Sequence, residues 1–180
     1  RSQPARVVTA GRNFQTFVLS LCVVPVDTRS WYDEYTSYPW VEDALNGAEL
    51  PATAASDDID YEQILQQHPD VIIAIYESID QETYDRLSQI APTVVRSADY
   101  ENEETPWDEQ PLTTGKARGR SAEAEAKVAE VQDRIDAAKA ANPAFATSTL
   151  VESFGDDGKY LVGQGDPRRA VFDALGFPAQ

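Results

Sequence analysis

Aromatic side chains are concentrated in one segment near the start of the chain. Residues 27–40 hold five aromatic residues and one cation, Arg29. Amphipathic rings provide a large contact area at a low entropic cost, and such rings line many ligand pockets. We therefore expect Trp31, Tyr32 and Tyr35 to contact a ligand. The alternative is that the rings fix this loop to the core, and for Trp40, which begins a predicted helix, both roles stay open.

A second stretch of interest covers residues 59–76. Asp60 can cap a short helix that Pro69 terminates, and residues 71–75 then form an almost unbroken apolar run. Such a run, rich in β-branched residues, is typical of a central strand in a parallel sheet that helices cover on both faces. Tyr76 and Glu77 would then lie at the carboxyl end of this strand, where open α/β sheets bind ligands.

The sequence contains no recognisable set of catalytic residues, since serine, histidine and aspartate do not occur in a nucleophile-elbow pattern. His68 is the only histidine and Cys22 the only cysteine, which argues against a Cys/His metal site and excludes an internal disulfide. Cys22 ends an apolar helical segment, where we expect a buried thiol. We expect His68, at a helix end before Pro69, to be solvated.

The composition narrows the classes of partner. Acidic residues outnumber basic ones by 31 to 15 in a chain of 180 residues, giving a formal net charge of −16. A protein that tracks nucleic-acid phosphates needs the opposite balance, so that class is disfavoured. No apolar run reaches the roughly 20 residues of a membrane span, and no signal peptide opens the chain. If the protein is exported, we expect this numbering to begin after removal of the signal peptide.

Strand and helix patterns alternate in the first part of the chain. Strands are predicted at residues 6–10, 23–26, 71–75 and 93–95, and helices at 14–22, 40–45, 60–67, 81–90 and 106–116. The first strand, helix and strand form a βαβ unit, which is right-handed by default. We therefore predict an α/β fold with a parallel-sheet, Rossmann-like lobe.

A long helix is predicted at residues 121–141, with a narrow, alanine-rich apolar stripe. This helix could be half of a coiled coil, but in an α/β chain a strut between domains is favoured. Beyond it, strands at 149–154 and 159–162 and a helix at 167–175 are too short for a core of their own. The predicted division is a lobe at 1–120, an interdomain helix at 121–142 and a partial second lobe at 143–180.

Seven segments, taken in order, carry a resemblance to a known family. They are RVVTAGRN, VVPVDTRSWY, YPWVEDALNG, DYEQILQQHPDVIIAIYESI, YDRLSQIAPTV, TPWDEQ and the alanine-rich helix followed by NPAF. The chain resembles the extracytoplasmic substrate-binding proteins of iron–siderophore ABC importers, in the class whose two α/β lobes are joined by one rigid helix.

The resemblance implies positions for ligand and partner. The ligand-binding cleft would be lined by loops that follow the strands. The residues implied are Arg12, Asn13, Arg29, Trp31, Tyr32, Tyr35, Tyr76 and Trp107. The matching position for docking onto the ABC permease is Glu62. A ferric siderophore carries its own oxygen ligands, so no resident cofactor or metal site is implied, and the arginines would meet its carbonyl or carboxylate oxygens. A surface salt bridge remains the alternative role for each arginine.

The same resemblance implies an extracytoplasmic location, as a lipoprotein whose anchor is not present in this sequence. Arg12 and Cys22 depart from the family, which often has an aromatic residue and a glycine there. The second lobe resembles one cut after its first helix, so we expect poor siderophore binding and self-association through residues beyond Ser121. The alternative from another class is an α/β enzyme or a nucleotide-binding regulatory domain with a similar sheet.

Overall fold

A computed structural model describes residues 4–178, except for 13, 30–33, 52–57, 103 and 149–168. The chain divides into two compact units, Arg1–Glu125 and Ala126–Gln180. The predicted strands at 149–154 and 159–162 lie outside the described residues, so the three-part division stays a prediction. In the described ranges, no helix is long and apolar enough to cross a membrane.

The first unit is built on a parallel sheet. Within the described residues the sheet has four strands in the order β2-β1-β3-β4. Their bounds are β1 Val7–Arg12, β2 Asp27–Arg29, β3 Val71–Ala74 and β4 Thr93–Val95. All pairs are parallel, and β3 is buried along its whole length. The predicted α/β fold with a parallel sheet is therefore confirmed.

Seven α-helices accompany the strands in the described part of the chain. They are α1 Gln15–Ser20, α2 Pro39–Leu45, α3 Tyr61–Gln66, α4 Gln81–Ile90, α5 Glu109–Arg118, α6 Ser121–Ala141 and α7 Ala170–Leu175. The Asp60 and Asp80 side chains accept backbone N–H bonds at the starts of α3 and α4, which explains why both helices begin where predicted. The last predicted helix corresponds to α7, and residues 167 and 168 of the predicted range lie outside the described residues.

Helices cover both faces of the sheet. On one face Val8 and Ile72 pack against Ile64 of α3 and Leu87 of α4. On the other face the sheet packs against α1, through the buried cluster Val7, Phe14, Val18, Val71, Ile73 and Ile75. Two covered faces account for the unbroken apolar run in β3.

The second strand was placed wrongly by the sequence analysis. It was expected at residues 23–26, whereas β2 occupies Asp27–Arg29. The Val23 amide closes the end of α1 by donating to the Val18 carbonyl at 3.3 Å, and Pro25 has no N–H for a strand ladder. The ladder therefore starts later, on three polar residues that are all buried.

The expectation of a buried Cys22 was also wrong, because the cysteine is exposed. Its amide donates to the Leu19 carbonyl at 2.8 Å, next to the Val23–Val18 bond. This pair of bonds is the Schellman ending of a helix, whose left-handed position usually carries glycine. Cys22 occupies this left-handed position with a φ of 57°, and its side chain is exposed instead of packing in the core.

The long helix α6 has the predicted bounds. Within the first unit, Ala124 of α6 is fully buried, and a β-carbon added to Gly115 of α5 would come within 2.5 Å of the Ala124 β-carbon. Glycine at 115 therefore lets the two consecutive helices approach closely.

Candidate ligand-binding site

The carboxyl ends of three neighbouring strands meet at one edge of the sheet. Arg12 at the end of β1 pairs with Arg29 at the end of β2, and β3 continues into Tyr76 on the other side of β1. A β-carbon on Gly11 would lie 3.2 Å from the Tyr76 carbonyl oxygen, so the backbone segments approach closely at this point. Chain segments that converge in this way form the usual ligand site of an open α/β sheet.

Arg29 connects the three strand ends. Its Nη1 atom donates to the Ala10 carbonyl of β1 at 2.9 Å and to the Glu77 carboxylate, which follows β3, at 3.1 Å. The Arg29 side chain is 8% exposed and that of Glu77 is 19% exposed. The alternative role foreseen for this arginine was a salt bridge at the surface, but the pair is largely buried.

A chain of polar side chains lies beneath this edge. The Thr9 hydroxyl donates to the Thr28 hydroxyl at 2.9 Å, and the Thr28 hydroxyl donates to Gln15 Oε1 at 3.0 Å. All three residues are buried. Buried polar groups need partners, and these hydrogen bonds fix β1, β2 and α1 relative to one another. No pattern in the sequence predicted this network.

Asp27 is a buried acid of this region whose role was not predicted from the sequence. Its carboxylate accepts bonds from the Thr28 amide at 2.9 Å and from Gln63 Nε2 at 2.8 Å. Burial raises the pKa of Asp27, and the Asp60 charge adds to this, although the two hydrogen bonds lower it. The only sequence signal for a buried strand residue at this position is a polar residue after an apolar segment. The same pattern is equally typical of a loop.

Tyr35 lies in the core of the first unit. It is 4% exposed and belongs to a cluster with Leu19, Val41 and Leu45. Its hydroxyl is 2.9 Å from Thr16 Oγ1, and burial raises the pKa of the phenol. The structure thus gives Tyr35 a packing role and leaves it little surface for a ligand.

The other rings near this segment differ in exposure. Trp40 is 49% exposed, and its ring packs edge-on against Tyr35 with 5.5 Å between centroids. Tyr76 is half-buried against the cluster that contains Phe14. Trp107 is half-buried just before α5. The structure therefore brings Tyr76 and Arg29 to the same edge of the sheet.

Several predicted site residues lie outside the described residues. They are Asn13, Trp31, Tyr32 and the side chain of Arg12. Their contact with a ligand stays a prediction.

The predicted docking residue Glu62 is exposed in the first turn of α3. Its amide donates to the capping Asp60 carboxylate at 3.0 Å. An acidic side chain also stabilises a helix start through the helix dipole, so docking stays a prediction.

Among the described residues, no group of three or more His, Cys, Asp or Glu side chains could hold a metal ion. The cavity beside Asp27 is lined by strand residues of β1 and β2 and by Asp58, Asp60, Gln63 and Ile64. The arrangement at the strand ends offers hydrogen-bonding groups and aromatic surface.

Comparisons with known proteins support the fold. The structure is similar to a periplasmic solute binding protein from Mycobacterium smegmatis, with a TM-score of 0.82 and 29% identity, covering 98% of this chain and 63% of that one. The iron uptake ABC transporter substrate-binding protein PiaA from Streptococcus pneumoniae gives a TM-score of 0.76 and 25% identity, with the same coverage.

Staphylococcus aureus SirA, solved with staphyloferrin B, shares the fold with a TM-score of 0.72 and 23% identity, covering 99% of this chain and 60% of that one. The chain thus spans about six tenths of the length of these solved proteins. A search of curated proteins gave no match. Residues 31–179 match the family described as periplasmic binding protein, and the chain belongs to that family.

Proposed function

We propose that the chain is the first lobe of an extracytoplasmic substrate-binding protein, which captures a ferric siderophore and delivers it to an ABC permease. The observation that carries this proposal is the convergence of strand ends at Gly11, Arg29 and Tyr76, in a chain of the periplasmic binding protein family. Parallel sheets bind ligands at this edge.

The ligand class is inferred from the solved relatives and from the donor set. PiaA, a protein of iron uptake, has been solved with ferrichrome, and SirA with staphyloferrin B. A ferric chelate already supplies oxygen ligands to its iron, so a protein with one histidine can recognise the outside of the complex. No resident cofactor and no catalytic step are part of this proposal.

The proposed location and partners follow from family membership. Proteins of this family act outside the cytoplasm, and a lipid anchor would hold this one near its permease. Glu62 is the proposed docking carboxylate, since an exposed carboxylate can pair with an arginine of a partner. An α/β enzyme or nucleotide-binding domain is the alternative, and turnover of a small substrate would favour it.

Tryptophan quenching by a panel of ferric siderophores tests the proposal on the full gene-encoded chain. Replacing Trp31 or Tyr32 by alanine should weaken binding by about 1–3 kcal/mol, as for other buried aromatic contacts. Tyr84→Ala, an aromatic change on α4 at a residue outside the predicted site, is the matched control and should bind normally. Unchanged affinity in both loop variants would remove these rings from the site.

The chain of 180 residues should bind the same siderophores only at millimolar concentrations or not at all. A cleft buries most of a small ligand between two walls, and this chain covers about 63% of the length of its relatives. We also expect it to self-associate through residues beyond Ser121. A monodisperse monomer with micromolar affinity would show that one lobe forms a complete site.

A further inference from the structure

Two arginines lie together at the amino ends of the strands, on the side of the lobe away from the proposed ligand edge. Arg118 ends α5, and Arg120 follows after Gly119, whose φ of 69° lets the chain turn. The Arg120 amide donates to the Gly115 carbonyl at 2.7 Å, which closes the turn. Asp70, immediately before β3, interacts electrostatically with Arg118. This interaction places the two arginines near the amino end of β3.

Arg118 is buried without an acceptor for two of its donor atoms. It is 6% exposed, and among the residues that the structure describes, its Nε and Nη1 atoms have no hydrogen-bond partner. Burial lowers the pKa of Arg118, and the Arg120 charge lowers it further. A buried guanidinium with unmet donors destabilises the fold unless an acceptor reaches it.

The neighbouring acid does not supply this acceptor. Asp70 is directed to the backbone, where its Oδ2 atom accepts the amides of Ala5 and Arg6, each at 2.8 Å. It forms no ion pair with Arg118 within the described residues, although its charge opposes the lowering of the Arg118 pKa. The positive charge of Arg118 is therefore only partly compensated.

Arg120 has a free donor as well. Its Nη1 atom donates to the Leu21 carbonyl at 2.6 Å, which holds the side chain against the end of α1. Its Nε atom is buried and has no hydrogen-bond partner in the described part of the chain. The Glu123 carboxylate lies 4.0 Å from that atom, beyond hydrogen-bonding distance.

We propose that Arg118 and Arg120 form an oxyanion site, which takes a phosphate, sulfate or carboxylate group. Such a group would accept hydrogen bonds from the three unmet donors, and its charge would offset the repulsion between the two guanidinium groups. Guanidinium groups suit this role because their planar donors match oxyanion geometry. The site is separate from the strand ends that carry siderophore capture, so the two proposals fail independently.

The test is a thermal-unfolding titration of the full chain with inorganic phosphate, against sodium chloride of equal ionic strength. Low millimolar concentrations keep general salting effects small. The melting temperature should rise with phosphate in a saturable way, by about 3–6 °C at ten times the dissociation constant for a chain of this size. Isothermal calorimetry should give one site per chain.

Variants assign the effect to the two arginines. Arg118→Gln and Arg120→Gln should each abolish the phosphate-dependent rise, while Lys116→Gln, an exposed change on the same helix, should keep it. Circular dichroism identifies any variant that does not fold. If one arginine variant does not fold, the other shows whether the phosphate-dependent rise in melting temperature depends on these arginines. A rise that is absent in the wild type with both phosphate and acetate, or that persists in both variants, overturns the proposal.

A parallel titration with acetate distinguishes the two sources of an oxyanion. A saturable rise with phosphate but not with acetate supports a free tetrahedral anion as the occupant. An equal rise with acetate supports a carboxylate, such as one from a protein chain. Either result supports an oxyanion site, and a failure with both anions contradicts it.

Discussion

The guanidinium of Arg29 lies 3.1 Å from the carboxylate of Glu77, across the carboxyl ends of β2, β1 and β3. Because Arg29 also binds the Ala10 carbonyl at 2.9 Å, it holds the edge of the sheet together. Its charge is directed mainly at the protein, so we infer that Arg29 shapes the proposed ligand site.

Glu77→Gln should destabilise the chain by about 2–4 kcal/mol, because it removes a charged partner of a largely buried guanidinium. The estimate is below that for a fully buried pair, since the Glu77 side chain is 19% exposed. Urea unfolding measures the loss. Glu82→Gln, an exposed change in the first turn of α4, is the control, and equal losses in both variants would contradict the role of the pair.

Glu62→Ala should leave siderophore affinity unchanged but reduce uptake by cells that carry the matching permease. Glu62 is exposed on α3, and α3 packs against a face of the sheet through Ile64. Glu82→Ala again serves as control, since it removes a carboxylate from an equivalent helical position. Normal uptake with normal binding would reduce Glu62 to a helix-start carboxylate.

Cys22→Gly should stabilise the chain by about 0.5–1 kcal/mol, since glycine adopts the left-handed conformation without a β-carbon penalty. The φ of Cys22 is 57°. Cys22→Ala keeps the β-carbon and should be nearly neutral, which separates the backbone effect from loss of the thiol. In the native wild type, the exposed thiol should react quickly with a disulfide reagent, and slow labelling would contradict its placement.

Asp70→Asn should lower the melting temperature at neutral pH. Hydrogen bonds from the amides of Arg6 and Ala5 lower the pKa of Asp70, so the carboxylate is favoured in the folded state. The sign follows directly: this stabilisation is present above the unfolded pKa of about 4 and is lost as pH falls through the lower folded value. The melting-temperature difference between wild type and variant should therefore shrink on acidification. A difference that grows on acidification would contradict the assignment.

The sequence predicts the parts of this fold whose signals are local. The helix at 81–90 and the strand at 93–95 have their predicted bounds, because a capping aspartate and a short β-branched run define them within a few residues. Strand β2 was misplaced because Thr28 is buried by partners distant in sequence, Thr9 and Gln15.

The site shows the same division. The position of Tyr76 follows from the apolar strand before it, and the strand order then places it beside Gly11. The ion pair between Arg29 and Glu77 joins residues 48 positions apart. It could not be predicted from the sequence because it depends on which strands are neighbours in the sheet. The exposure of Cys22 depends on the hydrogen bonds that end α1, and hydropathy alone carries no information about them.

The contact between Asp70 and the amides of Ala5 and Arg6 has a mechanical consequence. Strand β1 begins at Val7 and is hydrogen-bonded on both sides, to β2 and to β3. Tension applied before residue 5, as by a tether, would first load the Asp70 carboxylate and then both ladders of β1 in shear. Forced unfolding is governed by the rate of crossing a barrier. The Asp70 carboxylate would thus carry this load together with the bond from the Arg6 side chain to the Gln67 carbonyl, and Asp70→Asn should lower the force at which the lobe unfolds.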